Sequence, residues 1–166
     1  MKREIFLSWA HADQPAVERL MTKLRPELAS LKDMTVTVWA DSEVHIGDEW
    51  RREILGRLEV CDYALALVSP QYLTRRFIVH EEIPLIVGSG AVTSVLPVGL
   101  KPVALDGSRE WHGLDVRQMH LRRQPSGADR FFNQLRGSAA QDEFAATLAT
   151  RIRQRVLRDV AAGATP

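Results

Sequence analysis

The sequence predicts an α/β fold, with a parallel sheet covered by helices on both faces. Three observations carry this. Short strand-like runs alternate with longer segments whose apolar residues recur every three or four positions, the pattern of βα units. The first and third runs are apolar throughout, as strands covered on two faces are. The 166 residues, 45% apolar and 26% charged, suit one globular domain that buries about 70% of its unfolded surface.

The elements follow in order. Ile5-Phe6-Leu7-Ser8-Trp9 is the first strand, broken by His11-Ala12-Asp13. Asp13 is placed to cap a helix whose first turn tolerates Pro15. Val17, Leu20, Met21, Leu24, Leu28 and Leu31 give that helix one apolar face, and Pro26, lacking an N–H, is expected to kink or divide it. Thr35-Val36-Thr37-Val38-Trp39 is β-branched and forms the second strand. A polar loop, Ala40 to Gly47, leads to Asp48 and Glu49, acids suited to a helix N-terminus. Trp50, Ile54 and Leu58 mark the buried face of the helix they open.

Asp62 to Val68 is the third strand, ended by Ser69-Pro70. Phe77 to Val87 reads as a helix whose regularity Pro84 limits. Val92 to Val98 gives a fourth strand and Val116 to Leu121 a short fifth. Gly107 to Gly113 and Gln124 to Gly137 read as irregular. Phe144, Leu148, Ile152 and Val156 recur every fourth residue and define a last helix. One domain is expected over residues 1–160, with 161–166 as a tail or linker.

Twenty-two Lys and Arg balance 21 Asp and Glu, for a net charge of +1. This gives no electrostatic argument for nucleic acid or a membrane surface as partner, and the Arg-rich stretches read as solvated helix faces. The single cysteine, Cys61, has no internal disulfide partner and reads as a small core residue. Ile5-Phe6-Leu7 is too short for a signal peptide, and no run approaches the ~18 apolar residues of a membrane span. A cytoplasmic protein is expected. His11, His45, His80, His112 and His120 show no metal-ligand spacing, so no metal and no cofactor is expected. Gly88-Ser89-Gly90 lacks the pattern of a phosphate loop.

Parallel sheets bind ligands beyond the carboxyl ends of their strands. That directs attention to Ser8–Asp13, Ala40–Gly47 and Ser69–Glu82. These segments resemble the successive boxes of Toll/interleukin-1 receptor (TIR) domains. Ile5 to Asp13 is similar to the opening box. Val38-Trp39-Ala40-Asp41 through Ile46-Gly47-Asp48-Glu49-Trp50 resembles the second strand and the BB loop. Ser69-Pro70-Gln71-Tyr72-Leu73, Phe77-Ile78 and Glu82-Ile83-Pro84 resemble the third box in its bacterial form.

The resemblance implies a flavodoxin-like three-layer fold with a five-stranded parallel sheet. It also implies one of two functions. One is NAD cleavage at the nicotinamide–ribose bond, giving nicotinamide and ADP-ribose or a cyclic isomer, switched on by self-association or filament formation. The other is a non-catalytic adaptor that binds other TIR domains. In the enzymatic branch the catalytic glutamate maps onto Glu82, with Glu81 one residue away. NAD is then the substrate, and Phe6, Ser8, Trp9, Asp41, Trp50, Tyr72 and Phe77 are the candidate substrate contacts. Trp50, at helical spacing with Ile54, reads more readily as a core residue than as a ligand contact. Arg51, Arg75 and Arg76 are candidates to meet the pyrophosphate. A separate or fused sensor module and a role in antiphage defence are further expectations of the resemblance.

Overall fold

The computed structural model describes residues 1–40, 48–87, 91, 94–125 and 127–163. Strand β1 (Lys2–Ser8) leads through a 3₁₀ turn (His11–Asp13) into α1 (Gln14–Ala29) and β2 (Thr35–Ala40). There follow α2 (Asp48–Val60), β3 (Tyr63–Val68), α3 (Pro70–Thr74), a π turn (Ile78–Glu82), α4 (Ile83–Ile86), β4 (Ser94–Gly99) and the long α5 (Ser138–Ala161). The strands form one parallel sheet in the order β2-β1-β3-β4.

Alternation along the strands divides the core in two. Ile5 and Leu7 of β1, Tyr63, Leu65 and Leu67 of β3, and Leu96 and Val98 of β4 join α1 and α5 on one face. Phe6, Ala64, Ala66 and Val68 meet α2, α3, the π turn and α4 on the other. This is the period of two that a pleated strand imposes. β3 is buried along its whole length, as its uninterrupted apolar sequence requires. β2 alternates exposed and half-buried residues at its start, because it lies at the sheet edge.

Several expectations are corrected. Helix α1 runs through Pro26 as one element. The proline sits in its last turn, where the N–H it lacks removes a single bond near a terminus. Asp13 occupies the N-cap position of α1 without a side-chain cap, because its carboxylate is turned inward. The expected helix over 77–87 forms, winding without a break over residues 76–86, but it is irregular: it widens into the π turn before α4, and α3 precedes it.

The sheet has four strands among the described residues, not five. The expected fifth makes one parallel bridge, between His120 and Val98. His120 N–H donates to Pro97 O, and Gly99 N–H to His120 O. The next rung toward the N-terminus needs an N–H at residue 97, which is proline. On the other side Arg122 turns away to exchange both bonds with Arg130. The fourth strand begins at Ser94; Val92 and Thr93 of the expected run lie outside the described residues, as do Asp41 to Gly47, Gly88-Ser89-Gly90 and residues 164–166. No helix among the described residues is long and apolar enough to cross a membrane.

Candidate active site

From β1 the chain crosses to β2 on one side and returns to β3 on the other, so the strand order reverses beside β1. Ligand crevices form at such a switch point. Ser8, the last residue of β1, pairs with Ala66 of β3 there. Beyond β3, Ser69 accepts a hydrogen bond from Tyr72 N–H and caps α3 with Pro70 in its first turn. The chain then winds the π turn, in which Ile83 N–H reaches Ile78 O, five residues back. Pro84 follows immediately and has no N–H with which to continue the ladder. Such widened turns occur often at functional sites. This one carries Glu82.

Glu82 is 5% exposed. Ser8 Oγ donates to its Oε2 at 2.5 Å, and Tyr72 Oη lies 2.8 Å from Ser8 Oγ. A serine hydroxyl has one proton. With that proton on Glu82, Tyr72 donates to Ser8, and a relay runs from phenol to hydroxyl to carboxylate. Burial, and then the nearby Glu82 charge, pushes the Tyr72 phenol far above its ordinary range, so Tyr72 remains a neutral donor. Two hydroxyl side chains, Ser8 and Tyr72, thus orient the carboxylate of Glu82.

Glu82 borders a narrow cleft with Phe6, Trp9, His11, Trp50, Arg75 and Phe77. Its volume is about 20 Å³, little more than a water needs. The Trp50 and Phe77 rings lie 4.8 Å apart at 40°, and Trp9 and His11 lie at the same separation and tilt. Phe6 is almost wholly buried and stacks on Trp39 at 5.2 Å. Trp50 is half-buried and is both core margin and cleft wall.

Of the sequence candidates, Phe6, Trp9, Trp50, Phe77 and Glu82 border the cleft. Ser8 binds Glu82, and Tyr72 stands behind Ser8, fully buried. Asp41 lies outside the described residues. Glu81 faces a different setting: its Oε1 pairs with Arg51 Nη2 at 2.5 Å. Beside the cleft is a wider hollow of about 530 Å³, lined by Arg51, Arg75, Arg76, Phe77, His80 and Glu81. His11 was not foreseen at the cleft, although it falls within the opening box.

A second buried cluster braces the same edge of the sheet. Asp13, fully buried, accepts from Ser69 Oγ and pairs with Lys101 Nζ at 2.6 Å. It joins the segments that leave β1, β3 and β4. Nothing in the spacing of these three residues announces the cluster. Cys61 is buried on the helical side, and burial pushes its thiol up to about 11, as suits an inert core residue. Among the described residues no group of three or more His, Cys, Asp or Glu is placed to hold a metal ion.

The family model of the TIR domain matches residues 5–136. No curated protein and no solved structure matches the chain.

Proposed function

The chain belongs to the TIR domain family, and on that premise we propose that it is an NAD glycohydrolase with Glu82 as its catalytic carboxylate. The observation that carries the reading is the state of Glu82. It is a buried carboxylate, held by a hydroxyl relay, among aromatic rings at the switch point of the sheet.

The chemistry needs little more. Nicotinamide leaves a pyridinium as a neutral ring, so no acid must protonate it. The bond from ribose C1′ to the nicotinamide nitrogen breaks with its electron pair going to the ring. Positive charge gathers on the ribose, and water adds at C1′ to give ADP-ribose, or an adenine nitrogen adds to give a cyclic isomer. A carboxylate ~4 Å from that charge stabilises it by ~4 kcal/mol at an effective dielectric of ~20. Acting only in the transition state, this accelerates the reaction by roughly a thousandfold. Trp9, Trp50 and Phe77 supply aromatic faces for the flat rings. Arg75 and Arg76 stand beside the cleft, where the pyrophosphate of a bound dinucleotide would extend.

The narrowness of the cleft bears on regulation. About 20 Å³ is far below the ~300–1,000 Å³ of a small-molecule site. We take the isolated chain to be a resting form whose pocket opens on self-association with other TIR domains. The same narrowness favours a second reading, a non-catalytic adaptor that acts by TIR–TIR contact. Antiphage defence by NAD depletion suits the enzymatic reading.

The deciding experiment measures nicotinamide release from NAD by the wild type and by Glu82→Ala, at high protein concentration with a crowding agent. Release by the wild type alone establishes the enzyme and its carboxylate. Equal release by the variant removes Glu82 from the mechanism. Silence from both favours the adaptor.

A further inference from the structure

A wide hollow among the described residues shares no lining residue with the cleft of Glu82. It lies between β4, the His120 segment and α5, with a volume of about 820 Å³. Arg122, Arg123, Arg151, Arg155 and Arg158 line it, against the carboxylates Glu143 and Asp159. Five cations thus face two anions. Asp129 reaches Arg123 from outside the lining at 3.4 Å, which leaves a surplus of two positive charges. His120 adds none at neutral pH, because burial pushes it down to about 4.

The surplus is a property of the cavity wall. Arg151, Arg155 and Arg158 fall at i, i+4 and i+7 on α5, so they share one helix face over about 10 Å. Arg122 and Arg123 lie across from them on the segment after His120. Two of the five are already engaged by the opposing acids. Arg122 pairs with Glu143 at 2.6 Å, and Arg155 with Asp159 at 2.9 Å. The buried Nε of Arg122 meets no acceptor among the described residues. Arg151 donates to the Gln118 carbonyl. Burial, and then repulsion from Arg123, Arg155 and Arg158, lowers its pKa. The unligated groove is therefore electrostatically unfavourable, and an anion between its walls relieves the repulsion.

The shape and chemistry narrow the ligand. The volume falls within the range of small-molecule sites. Arginine forks match phosphate oxygens in a bidentate geometry. Arginines rooted ~10 Å apart along the helix backbone and on the facing segment suit a chain of linked phosphates, which can engage several forks at once. Among the described residues the one ring in the lining is that of His120, which is buried and packed edge-on against Phe144 at 4.6 Å. No ring is presented on which a base could stack, as single-stranded nucleic-acid sites require. The geometry points to a second ligand site in this groove, specific for an oligophosphate chain and indifferent to what the chain is attached to.

The test measures binding of sodium tripolyphosphate, ATP and adenosine to the purified chain by calorimetry at ~50 mM and ~500 mM salt. Tripolyphosphate and ATP are expected to bind with affinities within about tenfold of each other, weakening as salt rises, and adenosine is expected not to bind. The double variant Arg123→Ala/Arg158→Ala removes two exposed side chains and leaves the packing intact. It is expected to bind tripolyphosphate at least about tenfold more weakly. Arg158→Glu, on the exposed last turn of α5, gives a second variant with the same expectation. Arg75→Ala/Arg76→Ala, which removes the cations beside the Glu82 cleft, is expected to bind it as the wild type does, which separates this groove from the proposed NAD site. The proposal is overturned if the wild type binds no tripolyphosphate at ~1 mM in low salt, if adenosine binds as well as ATP, or if the arginine variants bind unchanged.

Discussion

Ser8 Oγ donates to Glu82 Oε2, so the orientation of that hydroxyl bears on where the charge points. A hydrogen bond to a charged group contributes about 1.5–3 kcal/mol. Under the proposed function, Ser8→Ala should lower kcat by about 10–100-fold while KM moves less. Tyr72→Phe acts one bond further back, as a positioning change, and should lower kcat by about 3–10-fold. A loss confined to thermal stability in both variants would show that the relay only packs. His120 permits a different prediction. Its pKa falls from 6.5 unfolded to about 4 folded, so the folded state resists protonation. The resulting stability is fully present above pH 6.5 and is lost as pH falls toward 4, by about 3 kcal/mol. Urea melts across that window should show the loss, and His120→Gln should flatten it. An unchanged slope in the variant would assign the acid sensitivity to carboxylates instead.

Elements meet at two close-packed points. The bond network from Asp13 to Ser69 and Lys101 ties together the segments leaving three strands. Removing the cation strands a buried carboxylate, which costs about 3–5 kcal/mol in dry interiors. Lys101 is partly exposed, so Lys101→Met should cost about 3 kcal/mol, read from chemical denaturation. A cost below about 1 kcal/mol would mean that water reaches Asp13 readily. At the end of β4, a Cβ on Gly99 would collide with Leu121 Cδ2 and come within 2.8 Å of Phe131 Cδ1. Gly99→Ala should lower stability by about 1–3 kcal/mol and loosen the His120 bridge that Gly99 N–H supports. Amide exchange at Gly99 would report the loosening.

The whole molecule is a sheet between two unlike cores. The α1 and α5 side is a continuous apolar layer, reinforced at its rim by Lys23–Asp142 at 2.5 Å and by the paired Arg153 and Asp33. The other side is built from α2, the short α3 and α4 and the π turn and contains the candidate site. That division suits a stable platform on one face and an adjustable pocket on the other. Under the proposed function, specific activity should rise steeply with protein concentration and follow the appearance of oligomers in light scattering. Constant specific activity on dilution to monomer would remove self-association from the mechanism.

The sequence by itself determined the alternation of elements, the buried faces of α1 and α5, and the adjacent pair Glu81 and Glu82 as the place to look for a carboxylate. Those features are local: periodicity, β-branching and box order are written in consecutive residues. Tertiary structure alone decided the rest. Glu82 and Glu81 are adjacent and chemically identical, and only packing buries one against Ser8 while the other pairs with Arg51. Val116–Leu121 has a strand's composition, yet Asp115 caps a 3₁₀ turn over Val116–Gln118 and Pro97 on the neighbouring strand lacks the N–H for a further rung, so one bridge remains. Asp13 reads as a cap until the fold offers it Ser69 and Lys101. The arginines of α5 read as a solvated face until Arg122 and Arg123 close the opposite wall. In each case the deciding partner lies far along the chain, and the energy of a polar or charged group depends on which neighbour replaces its water.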